Sequence, residues 1–152
     1  MPGKPPQGFR LRIGRHSEPG RIYLLTFVTR ERMPVFHNWQ LGRQVVHVLQ
    51  RESRSATTLC YVVMPDHVHW LMQLTGHKAL SSVVRTVKAA SAMRINVMRG
   101  SREPLWQRGF HDHAVRKEED IRALARYVVA NPLRAGLVER IGDYPLWDAV
   151  WI

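Results

Sequence analysis

Two strand-like runs, 57–64 and 67–74, are separated only by Pro65-Asp66. Proline presets φ for a tight turn, so the two runs fold as a hairpin. The second run alternates, with Val68, Trp70, Met72 and Leu74 on one face and His67, His69, Leu71 and Gln73 on the other. One face is therefore fully apolar and must be covered. The opposite face carries two histidines at its start.

The flanking sequence supplies the cover. Arg21 to Thr29 is β-branched and aromatic on both faces, as in a central strand. Arg30 to Phe36, with Pro34, is a loop. Asn38 is an N-cap for a helix whose apolar positions are Leu41, Val45, Val48 and Leu49. A longer helix spans about Lys78 to Met98, buries Leu80, Val83, Val84, Val87, Ser91, Ile95 and Met98, and ends at Gly100. Phe110 to Arg116 is a short fourth strand. Glu118, Glu119 and Asp120 place negative charge at the start of a last helix that turns Ile121, Leu124, Ala125, Val128 and Val129 inward and stops near Asn131, before Pro132. Aromatics in the tail, 144–151, pack back on the body. Strand, helix, strand, strand, helix, strand is the α+β, ferredoxin-like (RRM-like) order: an antiparallel sheet with helices on one face, here extended by one more C-terminal helix. Residues 1–20, rich in Pro, Gly and Arg, read as a basic flexible arm, and 21–152 as a single domain.

Charge narrows the partner. Among 152 residues, 23 Lys and Arg stand against 12 Asp and Glu, a net charge of +11, which points to a polyanion and first to nucleic acid. The single cysteine, Cys60, excludes an internal disulfide framework and a multi-cysteine zinc site, and its apolar strand makes it a buried, inert residue. No apolar run approaches a membrane span, and the first residues hold no hydrophobic stretch of the signal-peptide kind. The expected location is cytoplasmic and nucleoid-associated, with no membrane partner, as a monomer or homodimer.

Three clusters carry chemistry. His67 and His69, two apart on a strand, have Cα atoms about 6.5–7 Å apart and can converge on one metal ion; a polar groove would also accept them. Tyr127 and Asn131, four apart on the last helix, bring a phenol and an amide to one point beside the apolar stripe, with Arg126 and Arg134 near in sequence to supply positive potential. An amide oxygen suits Mg²⁺ or Mn²⁺, and a phenol can attack a phosphate; alternatively Tyr127 is a boundary residue and Asn131 ends the helix. His111 and His113 share a face of the fourth strand as metal ligands, phosphate contacts or proton shuttles. Before them Trp106, Arg108 and Phe110 form a loop able to stack bases and hold phosphates, although Trp106 also suits a core. Gly-rich phosphate loops, serine elbows and paired acids are missing from the sequence.

His67-Val68-His69 after Met64-Pro65-Asp66 resembles the HUH motif (histidine, hydrophobic, histidine) of single-tyrosine transposases. Trp106-Gln107-Arg108-Gly109-Phe110-His111-Asp112-His113, followed by Tyr127-Val128-Val129-Ala130-Asn131-Pro132-Leu133-Arg134-Ala135-Gly136-Leu137-Val138, resembles the REP-associated tyrosine transposases, relatives linked to repetitive extragenic palindromes in bacterial genomes. The likeness runs from about Arg21 to Trp147. It implies cleavage and rejoining of single-stranded DNA near hairpins such as REP-like palindromes, through a 5′-phosphotyrosine. Tyr127 would be the nucleophile, making the last helix the catalytic one. His67, His69 and Asn131 would hold Mg²⁺ or Mn²⁺, with His111 or His113 as substitutes for Asn131, a position where mobile relatives commonly carry glutamine. Arg126, Arg134, Trp106, Arg108, Phe110, His111 and His113 would contact DNA. The rival readings are an HUH replication or relaxation nuclease, a non-catalytic RNA-binding module on a similar sheet, and a water-using metal hydrolase.

Overall fold

The computed structural model describes residues 18–116 and 120–151. Five antiparallel strands run β1 (Ile22–Val28), β2 (Ala56–Val63), β3 (His67–Leu74), β4 (His111–Ala114) and β5 (Trp147–Ala149) along the chain. In the sheet their order is β4-β1-β3-β2-β5. The first four follow the ferredoxin-like order. The helices are α1 (Trp39–Arg51), α2 (Leu80–Arg99), α3 (Ile121–Val129) and the one-turn α4 (Asn131–Arg134).

The hairpin forms as expected, closed by the Met64 N–H donating to the His67 carbonyl at 2.8 Å. Register then follows from the alternation. Val68, Trp70, Met72 and Leu74 join Tyr23, Leu25 and Phe27 in the main core beneath α1 and α2. Each large side chain removed from water there contributes about 1.5–3 kcal/mol. Trp70 satisfies its buried indole N–H on Thr58 Oγ1 at 2.9 Å. Asn38 caps α1, its side chain accepting from the Gln40 N–H, and Gly100 ends α2 at φ 61°. Met98 departs from the expected stripe: it is 51% exposed, in the last turn of α2 beyond Ile95, the last buried position of the helix.

The second face of the sheet carries a smaller cluster, Cys60, Val62, Met64, Leu71 and Val115, against Ala125 and Val128 of α3. The C-terminal helix thus packs on the face opposite α1 and α2, and that face is the one bearing the histidines. Asp120 caps α3 by accepting from the Arg122 and Ala123 N–H groups at 3.0 and 3.2 Å. Glu118 and Glu119 lie outside the described residues, as does most of the expected 1–20 arm. Of that arm, residues 18–20 are described, and the Gly20 N–H donates to the Leu74 carbonyl at 2.7 Å.

The tail does more than pack on the body. Trp147, Asp148 and Ala149 pair with Val62, Tyr61 and Cys60, adding a fifth strand beside β2. Tyr144 Oη donates to the Val63 carbonyl at 2.5 Å. Three residues carry no readable period, which is why this strand escaped the sequence.

Candidate active site

β3 pairs with β1 so that Val28 faces His67 and Thr26 faces His69. The two imidazoles sit edge to face, with centroids 4.9 Å apart. Each has a partner at Nδ1. His67 Nδ1 lies 2.7 Å from Asp66 Oδ1, and His69 Nδ1 lies 2.9 Å from Thr26 Oγ1. With hydrogen on Nδ1, each ring donates to that oxygen and keeps its Nε2 lone pair for a ligand. Partners of this kind orient metal-binding histidines and set their tautomer.

Electrostatics agree with that assignment. Burial first, then the positive potential of His67 and Arg134, lowers the His69 pKa from 6.5 to about 4, so its ring is neutral and able to ligate. Burial alone would raise the Asp66 carboxyl, but the His67 hydrogen bond and the nearby His67 and Arg32 charges hold it below the ordinary range. A divalent ion is the group the sequence implies, and two neighbouring imidazoles, each held at Nδ1, fit one.

Tyr127 and Asn131 come from the C-terminal end of α3. Ala125 and Val128 are buried against the sheet, which leaves the adjacent Tyr127 at the rim, 61% exposed. The helix does not run straight through to Asn131. α3 stops at Val129, and Asn131 opens α4, with Pro132 in its first turn. Asn131 Nδ2 donates to the Val128 carbonyl at 3.1 Å, which engages the donor end of the amide. The guanidinium of Arg134 lies 3.7 Å from the centre of the Tyr127 ring. The same guanidinium shifts His69. Arg134 thus touches the Tyr127 ring and is one of the positive charges acting on His69.

Other expected contacts sort differently. Trp106 is 8% and Phe110 5% exposed, both in the main core. Trp106 meets Phe27 edge-on at 5.8 Å and donates from Nε1 to Ser91 Oγ at 3.0 Å. Rings so enclosed have no face to offer a base, so the stacking role expected for Trp106 and Phe110 is corrected to a structural one. Arg108 is exposed in the loop between them, where Lys88 Nζ holds the carbonyls of Gln107 and Gly109 at 2.7 and 2.6 Å. Arg126 is exposed on α3.

His111 and His113 are exposed on β4. Thr26 separates His111 from His69 in register, so these histidines stand two strand spacings apart, about 10 Å. Among the described residues no group of three or more His, Cys, Asp or Glu side chains is placed to hold a metal, His111 and His113 included. Cys60 is fully buried, and burial pushes its thiol up to about 12.

Asp66, Thr26 and Arg32 were missed as site residues in the sequence. Asp66 was read only as a turn former, although its place just before His67 was a signal. Thr26 could be found only from the β1–β3 register.

The model of the family described as "Transposase IS200 like" matches residues 20–131, from the start of β1 through Asn131. The chain belongs to the IS200-like transposase family. Membership makes it an enzyme of the DNA transposase class. The REP-associated tyrosine transposase of Escherichia coli K12 is 28% identical over 108 residues, covering 70% of this chain and 62% of that relative. A Haemophilus influenzae relative assigned to the same class is 24% identical over 142 residues, covering 86% of this chain and 81% of its own length. Among solved structures, a REP-associated tyrosine transposase bound to a REP hairpin superposes with a TM-score of 0.69 at 26% identity, over 88% of this chain and 79% of that one. A Deinococcus radiodurans structure shares the fold, with a TM-score of 0.54 at 23% identity over 72% of this chain and 88% of that one. Among the described residues no helix is long and apolar enough to cross a membrane.

Proposed function

We propose that this IS200-like transposase cleaves and rejoins single-stranded DNA beside a hairpin, using Tyr127 as nucleophile and a divalent ion, Mg²⁺ or Mn²⁺, held by His67, His69 and Asn131. The observation that carries the reading is the Arg134 guanidinium, which both stacks on the Tyr127 ring at 3.7 Å and biases His69. A phosphate drawn to that guanidinium would meet the Tyr127 phenol in the field that also acts on His69. The hairpin carried by the REP-associated structural relative gives the substrate class.

The ion would supply charge stabilisation on the non-bridging oxygens of the scissile phosphate. The chain's own groups do the rest. Asp66 and Thr26 keep the His67 and His69 rings in one orientation. Arg134 supplies positive potential where the phenol loses its proton. Tyr127 Oη bonds to phosphorus while the bond from phosphorus to the 3′-oxygen breaks, and the departing oxygen takes up a proton as a 3′-hydroxyl. The 5′-phosphotyrosine keeps the phosphodiester's energy, so a later 3′-hydroxyl reverses the step and joins new ends.

Incubating the protein with labelled hairpin-bearing single-stranded DNA and Mn²⁺ tests this. A denaturing gel should show a covalent adduct that mass spectrometry places on Tyr127. Tyr127→Phe should retain fold and DNA binding and form no adduct. An adduct on another residue, or wild-type cleavage by Tyr127→Phe, would falsify the mechanism.

A further inference from the structure

The connection from β1 to α1 holds backbone that only a strong local demand sustains. Glu31 (φ 56°) and Arg32 (φ 51°) are consecutive left-handed residues, and among the described residues they are the only non-glycines with positive φ. Side chains with a Cβ resist that region, and such residues persist where the surroundings over-determine them.

Here the surroundings are the turn that precedes the histidines. Thr29 is buried, its N–H donates to the Asp66 carbonyl at 3.0 Å, and its hydroxyl lies 2.8 Å from the Met33 carbonyl and 3.0 Å from that of Asp66. The Phe36 N–H donates to the Pro65 carbonyl at 2.9 Å. The strained step carries Arg32 back over this turn, where its Nε donates to Asp66 Oδ2 at 3.1 Å. The other oxygen of the same carboxylate, Oδ1, holds His67 Nδ1 at 2.7 Å. Asp66 is thus pinned at both oxygens. The Arg32 side chain is 59% exposed, and an ion pair so placed contributes too little stability to offset two left-handed residues. Stability does not account for the turn; orientation does.

We infer that Arg32 is a positioning residue for His67: through Asp66 it fixes the ring and the Nδ1–H tautomer, so that the Nε2 lone pair faces the metal position. The inference rests on the reading of His67 as a ligand, and its test separates the two.

Glycine relieves the strain at either position, and Arg32→Gly also removes the brace. The full chain, free of metal, is titrated with Mn²⁺ while free ion is followed by electron paramagnetic resonance. The histidine tautomers are read from long-range ¹H–¹⁵N spectra. Glu31→Gly should raise the thermal midpoint and leave both readouts at wild type. Arg32→Gly should also keep or raise the midpoint, yet weaken Mn²⁺ binding about 10-fold or more and turn the single His67 tautomer into a mixture. Arg32→Lys, which keeps a cation on Asp66, should recover most of the affinity. Unchanged affinity and spectrum in Arg32→Gly overturn the inference, and so does equal weakening by Glu31→Gly. A wild-type protein that binds no Mn²⁺ while its His67 signal still responds to Arg32→Gly removes the metal reading and leaves the brace standing.

Discussion

His69 has the most strongly perturbed environment at the site, and its sign matters. A histidine whose folded pKa is depressed from 6.5 to about 4 stabilises the fold above its unfolded value, and that contribution is lost as pH falls toward 4. The loss should reach roughly 3 kcal/mol at most, seen as a falling urea midpoint between pH 6.5 and 4 that flattens in His69→Gln. Arg134→Ala should raise the His69 pKa in an NMR titration, since one of the positive charges opposing protonation is gone. At this scale the sequence was partly readable. The two-residue spacing of His67 and His69 on a strand, and the four-residue spacing of Tyr127 and Asn131, could be seen without coordinates. Their shared neighbour could not: Arg134 reaches the Tyr127 ring only because the chain re-enters a helical turn at Asn131. Trp106 and Phe110 misled because an aromatic loop beside a cation has the same composition whether its rings face solvent or core.

The elements owe their arrangement to period and punctuation. α1 and α2 were legible because their apolar residues repeat at helical spacing between a capping Asn38 and a terminating Gly100. The last strand has no such signal, and it is fixed by packing. A Cβ at Gly42 in α1 would lie 2.5 Å from Leu146 Cδ1 and 3.4 Å from Val63 Cγ1. Leu146 cannot swing away freely, being 3% exposed with its carbonyl held by the Val63 N–H at 2.9 Å. Gly42→Ala gains up to about 1 kcal/mol in helix propensity but overpacks a closed contact that costs about 1–3 kcal/mol. The expected net is a loss of up to about 2 kcal/mol in urea denaturation once the full propensity gain is set against the overpacking, with β5 the first element to lose amide protection in hydrogen exchange. An unchanged urea midpoint would show that Leu146 has room to move.

Across the whole molecule the sheet divides its labour, with the main core under α1 and α2 on one side and the histidines, α3 and Arg134 on the other. The order of the first four strands followed from chain order and was legible; the side on which α3 docks needed the structure. The +11 charge predicts that affinity for hairpin-bearing single-stranded DNA falls steeply with salt, with a log–log slope of magnitude ~0.7 per neutralised phosphate on single strands. Fluorescence anisotropy at several salt concentrations checks this, and a flat response would mean that phosphates contribute little. The sheet's borders have a separate consequence. Its inner strands, β1, β3 and β2, are seven or eight residues long, whereas the outer β4 and β5 have four and three. The short outer strands cover the middle of their neighbours, β4 at Tyr23–Thr26 of β1 and β5 at Cys60–Val62 of β2, and so shorten the open edge offered to a passing unfolded chain. Protection from amyloid-like growth is thus built into the margins of the sheet, and stripping off the tail strand would uncover Cys60, Tyr61 and Val62 and leave β2 open along its whole length, an edge prone to aggregate.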